Sequence, residues 1–189
     1  MAKDDFTGMR KVTIRYGDGE NDFVVFGADK ISADGFTAAL ENNEVTVSSY
    51  AGDVTSVSGT NVSTATLTLI PKNIADFGDI WPEGWDATTE SWQPIIGGCS
   101  SSDVTLAFEK VCDTKGNIVL RHAQIGSGAE FGHTRDDALT LEITVYPQLS
   151  EGSEYGLAGD FADKLIPFQY FDGLYDPSTD TVAFDSDES

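Results

Sequence analysis

The chain has 189 residues, 40% of them hydrophobic, with 32 Asp plus Glu against 11 Lys plus Arg and a formal net charge of −21. That length suits one domain of ordinary size, and the apolar fraction supports one core and excludes wholesale disorder. The charge excludes ordinary sequence-specific binding to the polyanionic backbone of DNA.

Most of the chain reads as β-strand. "RKVTIRY" alternates Val12, Ile14 and Tyr16 with Lys11, Thr13 and Arg15; "DGEND" follows as a turn and "FVVFG" as the return strand. "DGFTAAL" and "NEVTVSSY" are the next two strands. "AGDVTSVSGTNVS", rich in Gly, Ser, Thr and Asn, is expected as a loop or a weakly ordered hairpin tip. It leads into "STATLTLIP", where Ala65, Leu67 and Leu69 oppose Thr64, Thr66 and Thr68: one apolar face and one threonine face. "PKNIADFGDIW" predicts a short helix, with Ile74, Phe77 and Trp81 at helical spacing and Gly78 and Pro82 limiting its length. A tryptophan-rich loop, "WPEGWDATTESWQPIIGGC", comes next.

"DVTLAFEKVC–DTKGN–IVLRHAQI" is the clearest hairpin, and "ALTLEITVYP" repeats the threonine plan, with Leu139, Leu141, Ile143 and Val145 opposite Thr140, Glu142, Thr144 and Tyr146. "FQYFDGLYDPSTDTVAFD" predicts one or two further short strands before a frayed acidic tail. Eight or more strands with one short helix make this a mainly β chain, a β-sandwich or barrel-like domain.

Basic residues cluster early, at Lys3, Arg10, Lys11 and Arg15, whereas Lys164 is the only base after Tyr146. Attraction between that head and the acidic tail is expected within one chain or between neighbours, with Arg10, Lys11, Arg15, Asp185 and Asp187 as contact residues. Trp81, Trp85 and Trp92 are expected as core or interface anchors, Trp85 being the proposed intersubunit contact, with sugar stacking as the alternative.

Catalytic groups are sparse. His122 reads as a sheet side chain and His133, near Asp136 and Asp137, as a loop residue rather than half of a hydrolase acid–base pair. Asp18, Glu20 and Asp22 lack the glycine and terminal glutamate of a calcium loop, and "GSGAEFG" precedes a strand rather than a helix. Cys99 and Cys112 are expected as free thiols. No metal, cofactor or enzymatic activity is expected. No apolar run approaches the roughly 20 residues of a membrane-spanning helix, and "MAKDDFTGMRKV" lacks a signal-peptide core, so a soluble protein made in the cytoplasm with no membrane partner is expected.

The order of these parts, from "DGFTAALENNEVTVSSYAGDVTSVSG" through "STATLTLIP", "NIADFGDIW" and "LAFEKVCDTKGNIVLRHAQI" to "DDALTLEITVYP", resembles the tail tube (major tail) proteins of long-tailed bacteriophages. The likeness covers residues 28–148 of a domain spanning 1–149. Residues 150–189 form a C-terminal extension, read as extra strands or an intersubunit arm.

The resemblance implies a structural virion protein with a β-sandwich flanked by a helix. Six copies would form a ring, rings would stack, and inner sheets would join into one β-barrel through which the genomic DNA passes unbound. It implies tape measure, tail terminator and tail tip proteins as partners. On that reading Thr64, Thr66, Thr68, Thr140, Glu142 and Thr144 face the lumen, and Glu41, Glu44 and Asp53 add charge there or at the ring face. A carbohydrate-binding β-sandwich, as in a phage baseplate, is the alternative.

Overall fold

A computed structural model describes residues 9–17, 22–49, 52–94, 103–110, 116–131 and 139–184. In chain order the elements are β1 (Met9–Arg15), β2 (Phe23–Gly27), β3 (Ile31–Ser49), β4 (Gly52–Leu69), α1 (Ala75–Ile80), β5 (Trp85–Asp86), β6 (Ser91–Trp92) and β7 (Asp103–Lys110). There follow β8 (Asn117–Phe131), β9 (Leu141–Pro147), β10 (Ser150–Glu151), β11 (Leu165–Ile166), β12 (Gln169–Phe171), β13 (Gly173–Asp176) and β14 (Thr181–Phe184). The described residues are mainly β with one short α-helix, in keeping with the sequence.

The main sheet runs β2–β1–β7–β8–β9–β4–β3, and β12 adds to the start of β8. All its pairings are antiparallel. The sheet curls until β3, at one edge, reaches back to β7: Phe36 of β3 stacks on Phe108 of β7 with ring centroids 4.0 Å apart. Curling lets a single sheet enclose its own apolar face. That face carries Val12, Ile14, Ala65, Leu67, Leu69, Leu106, Leu120, Leu141, Ile143 and Val145, all buried.

Helix α1 closes the core with Phe77 and Ile80. Ile74, expected on the apolar face, is exposed, because the helix begins only at Ala75 and Ile80 takes the inward place. Asp76 anchors the entry. Its carboxylate accepts the Lys72 and Asn73 N–H groups at 2.6 and 3.2 Å and pairs with Lys30 at 2.7 Å. Burial raises the Asp76 pKa, but these hydrogen bonds outweigh it and hold the carboxyl below its ordinary range. At the other end the Tyr16 hydroxyl reaches the Asp79 and Ile80 carbonyls, the latter at 3.0 Å, satisfying acceptors that a helix C-terminus leaves open.

A second, smaller apolar cluster lies on the opposite face of the sheet. It joins Ala107 of β7 and Val119 of β8 to Tyr155, Phe171 and Tyr175 of the C-terminal segment. That segment therefore packs on its own chain, over β7 and β8.

One sequence expectation fails on β3 and β4. "DGFTAAL" and "NEVTVSSY" form one strand, and "GDVTSVSGTNVS", expected as a loop or a weakly ordered hairpin tip, is the first part of β4, paired with β3 in a long hairpin. Val54, Thr55, Val57, Thr60 and Val62 carry enough β-branching for a strand, and Val45, Thr46 and Val47 supply register partners.

Candidate functional site

The threonine stripe lies on the outer face of β4 and β9. Ala65, Leu67 and Leu69 stand opposite Val145, Ile143 and Leu141, while Thr66 and Thr68 stand opposite Thr144 and Glu142. The first set is buried; in the second Glu142 is exposed and Thr66 and Thr144 are half-buried. Thr64 and Thr140 extend the stripe at its ends, both exposed.

Thr68 departs from the plan. It is only 7% exposed, although it is on the face expected to meet a lumen. On β3 the four residues Ser32, Ala33, Asp34 and Gly35 oppose this one position, between the pairs Ile31–Leu69 and Phe36–Leu67. A bulge of that size places extra backbone beside Thr68. Glu142 also stands opposite Glu130 of β8, so two carboxylate-bearing positions adjoin a line of hydroxyls. Nothing about Glu130 in the sequence signalled its register.

Beyond Ala65, β4 leaves β9 and continues paired with β3 alone as far as Gly52. The free part of this ribbon, residues 52–64 on β4, spans about 40 Å at the usual strand rise. Such a length exceeds the radius of gyration of roughly 16 Å expected for a compact chain of this size. Glu41 and Glu44 lie on the ribbon at the positions opposite Asn61 and Val57, and Asp53 pairs in register with Ser48. Among the described residues no third strand adds to either ribbon edge.

A different arrangement occupies the outer face of β1, β7 and β8. Leu106 pairs with Leu120 and Val104 with Ala123, so Thr105 alone opposes both Arg121 and His122. This β-bulge drops Arg121 from the ladder and re-aims its neighbour, so that both side chains line one recess of ≈ 400 Å³. The freed backbone groups find side-chain partners. The Thr105 hydroxyl donates to the Arg121 carbonyl at 2.9 Å, and the Arg121 N–H donates to the Tyr155 hydroxyl at 3.1 Å.

Around that recess charges are paired. The Arg121 guanidinium donates to the Asp180 carbonyl at 2.7 Å and to its carboxylate, and it lies over the Tyr155 and Tyr175 rings. Arg15 reaches the same carboxylate at 3.5 Å and donates to the Pro177 carbonyl at 3.0 Å. Tyr175 donates its hydroxyl to Asp180 at 2.7 Å; burial, then this bond and the Asp180 charge, push its pKa well up. His122 places Nδ1 on Asp103 and Nε2 on Glu154, the latter at 2.6 Å. It is thus no ordinary sheet side chain, a role the sequence could not reveal without the register. Its two carboxylates sit on opposite sides of the ring, and among the described residues no group of three His, Cys, Asp or Glu could hold a metal ion.

The expected contact residues sort accordingly. Arg15 does not stand ready for a neighbouring subunit: it is 7% exposed and bound to Asp180 of its own chain, because the C-terminal segment folds back over β1. Lys11 pairs with buried Glu109 at 2.7 Å, also within the chain. Arg10 lies at the register shift between Met9 and Lys11. Asp185, Asp187, His133, Cys99 and Cys112 lie outside the described residues.

The tryptophans form an aromatic packing unit under α1. Trp81 and Trp92 lie 5.4 Å apart and Phe77 lies 5.5 Å from Trp92. The indole N–H groups of Trp81 and Trp92 donate to the Gly126 and Trp81 carbonyls. Trp85, half-buried, packs so closely on Gly78 that a Cβ there would lie 2.9 Å from the ring. Ring faces spent on one another leave less for stacking a sugar.

Compared with known proteins, the chain matches no protein-family model and no curated protein sequence.

Proposed function

We propose that this chain is a structural subunit of a phage tail tube, without enzymatic activity, assembling as stacked hexameric rings around a channel for DNA. The observation that carries the reading is one continuous surface: the outer face of β4 and β9, running on into a two-stranded ribbon whose edges are unpaired among the described residues. Long ribbon edges present backbone donors and acceptors that pairing with other copies would satisfy. A barrel of eight strands holds only side chains or one small ligand, whereas sixteen or more leave a channel, so several copies must contribute strands.

The chemistry of the surface suits passage of a polyanion. Thr64, Thr66, Thr140 and Thr144 offer hydroxyls, Glu142 offers a carboxylate, and none of the stripe residues offers a cation to hold a phosphate. Thr68 drops out of that wall because it is buried. The net charge of −21 works in the same direction.

Electron microscopy and sedimentation of the concentrated protein test the proposal. Rings or tubes are expected, with the β4–β9 outer face lining the channel in a reconstruction. A monomer that persists at all concentrations, or tubes whose lumen is lined by another face, would overturn it.

A further inference from the structure

From the recess built by the β7–β8 bulge, we infer that His122 is a proton-operated clasp: as an imidazolium it ties the C-terminal segment to the sheet, and as a neutral ring it releases one tie. The argument begins with acceptors. Asp103 opens β7, and Glu154 lies in the 3-10 turn Gly152–Tyr155 that begins the C-terminal segment. Both ring nitrogens of His122 meet a carboxylate oxygen. An ionised carboxylate only accepts hydrogen bonds, so both nitrogens must donate, and only the protonated ring has two N–H groups.

The surroundings favour that form. Partial burial opposes the charge, but the hydrogen bonds to Asp103 and Glu154, followed by their charges, prevail and raise the pKa above the usual 6.5. Among the described residues three other charged groups line the recess: Arg121 from β8, Arg15 from β1 and Asp180 from the β13–β14 turn. The two arginines are already committed to Asp180, which leaves Asp103 and Glu154 to the histidine.

The direction of the pH effect follows. A pKa raised by folding gives stability that is complete below the unfolded value of 6.5 and is lost as pH rises through the folded value. Deprotonation leaves a ring lone pair facing one carboxylate. Glu154 is the partner that can withdraw, since it rides on a segment held by a small cluster, whereas Asp103 belongs to the central sheet. The three side chains are 40%, 55% and 43% exposed, so solvent screening keeps the effect modest.

Two measurements on the full chain test the clasp. NMR titration of the imidazoles, with a His133→Gln variant to assign the two histidines, is expected to place the His122 midpoint above 6.5. Hydrogen exchange, corrected for the chemical rate, should show opening of residues 152–157 rising about two- to fivefold between about pH 6 and about pH 9, while β9 stays constant. His122→Gln and Glu154→Gln should each abolish that rise. A His122 midpoint at or below 6.5, or equal opening at both pH values in the native chain, would overturn the clasp. Neither readout depends on tube assembly.

Discussion

Two halves of one sheet meet opposite fates. Around β7 and β8 both faces are covered, and Val104, Thr105, Leu106, Ala107, Phe108 and Glu109 are buried without interruption. Along β9 burial alternates, with Leu141, Ile143 and Val145 inside and Glu142 and Tyr146 outside. In the covered half two of the hidden polar residues of β7 find partners, whereas the Thr13 hydroxyl of β1 is buried without one. Thr105 bonds a carbonyl, and Glu109 pairs with Lys11 and accepts the Tyr175 N–H at 3.4 Å. On the bare half Thr64, Thr66, Thr140 and Thr144 stay at least partly open to what lies outside the subunit, and Thr68 is the one residue of the stripe that is buried.

The sharpest way to break the contrast is on the face both halves share. Leu67→Ala removes a fully buried side chain and should cost about 2–5 kcal/mol in a denaturant titration. A comparable loss is expected when Asp180→Ala strips both buried arginines of their carboxylate, about 3 kcal/mol before allowance for the partial exposure of Asp180. That loss should fall on the covered half, seen as faster exchange at residues 150–184 with β9 protected. Gly152→Ala is more local. A Cβ at this position would lie 2.0 Å from the Phe161 carbonyl oxygen, so overpacking of about 1–3 kcal/mol is expected, confined to the same segment.

Asp76 adds a pH test in the core they share. Its pKa is lowered by folding, so its contribution is present above the unfolded value of 3.8 and lost as pH falls through the folded one. Asp76→Asn should therefore destabilise the chain at neutral pH and flatten its acid sensitivity below about pH 4, measured by thermal unfolding. The smallest effect belongs to the bare face. Thr66→Lys and Thr144→Lys should change subunit stability by no more than about 0.5 kcal/mol. If the proposed function holds, the same lysines in assembled tails should slow release of DNA.

How much of this was legible in the sequence depends on whether a pattern was local. Leu67, Leu69, Ile143 and Val145 announced their face because one side of each strand is wet and the other dry. The β3 arm of the ribbon was legible as strand, though in two pieces; the β4 arm hid because its Gly, Ser and Asn are turn formers set among the β-branched residues, and its partner is the other arm rather than a core. Phe171, Gly173 and Tyr175 alternate with Asp172, Leu174 and Asp176, so a half-buried strand was visible there, but not which surface it covers. The Arg121–His122 bulge could not be foreseen. It exists only in the offset between two registers, and a single strand carries no record of its partner's count. The head-to-tail charge asymmetry was real, yet Arg15 finds Asp180, ahead of the tail residues named from composition.

The tryptophan cluster has a practical consequence for watching this protein unfold. All three tryptophans lie between Trp81 and Trp92, beside α1, and none lies in the C-terminal segment. Intrinsic indole emission is therefore a spectator of one end of the core, blind to the segment that carries Glu154 and Asp180. A fluorescence melt could look like a single sharp transition while that segment had already lifted away. A tryptophan introduced by Phe161→Trp, at a site 65% exposed, would give the silent region its own signal.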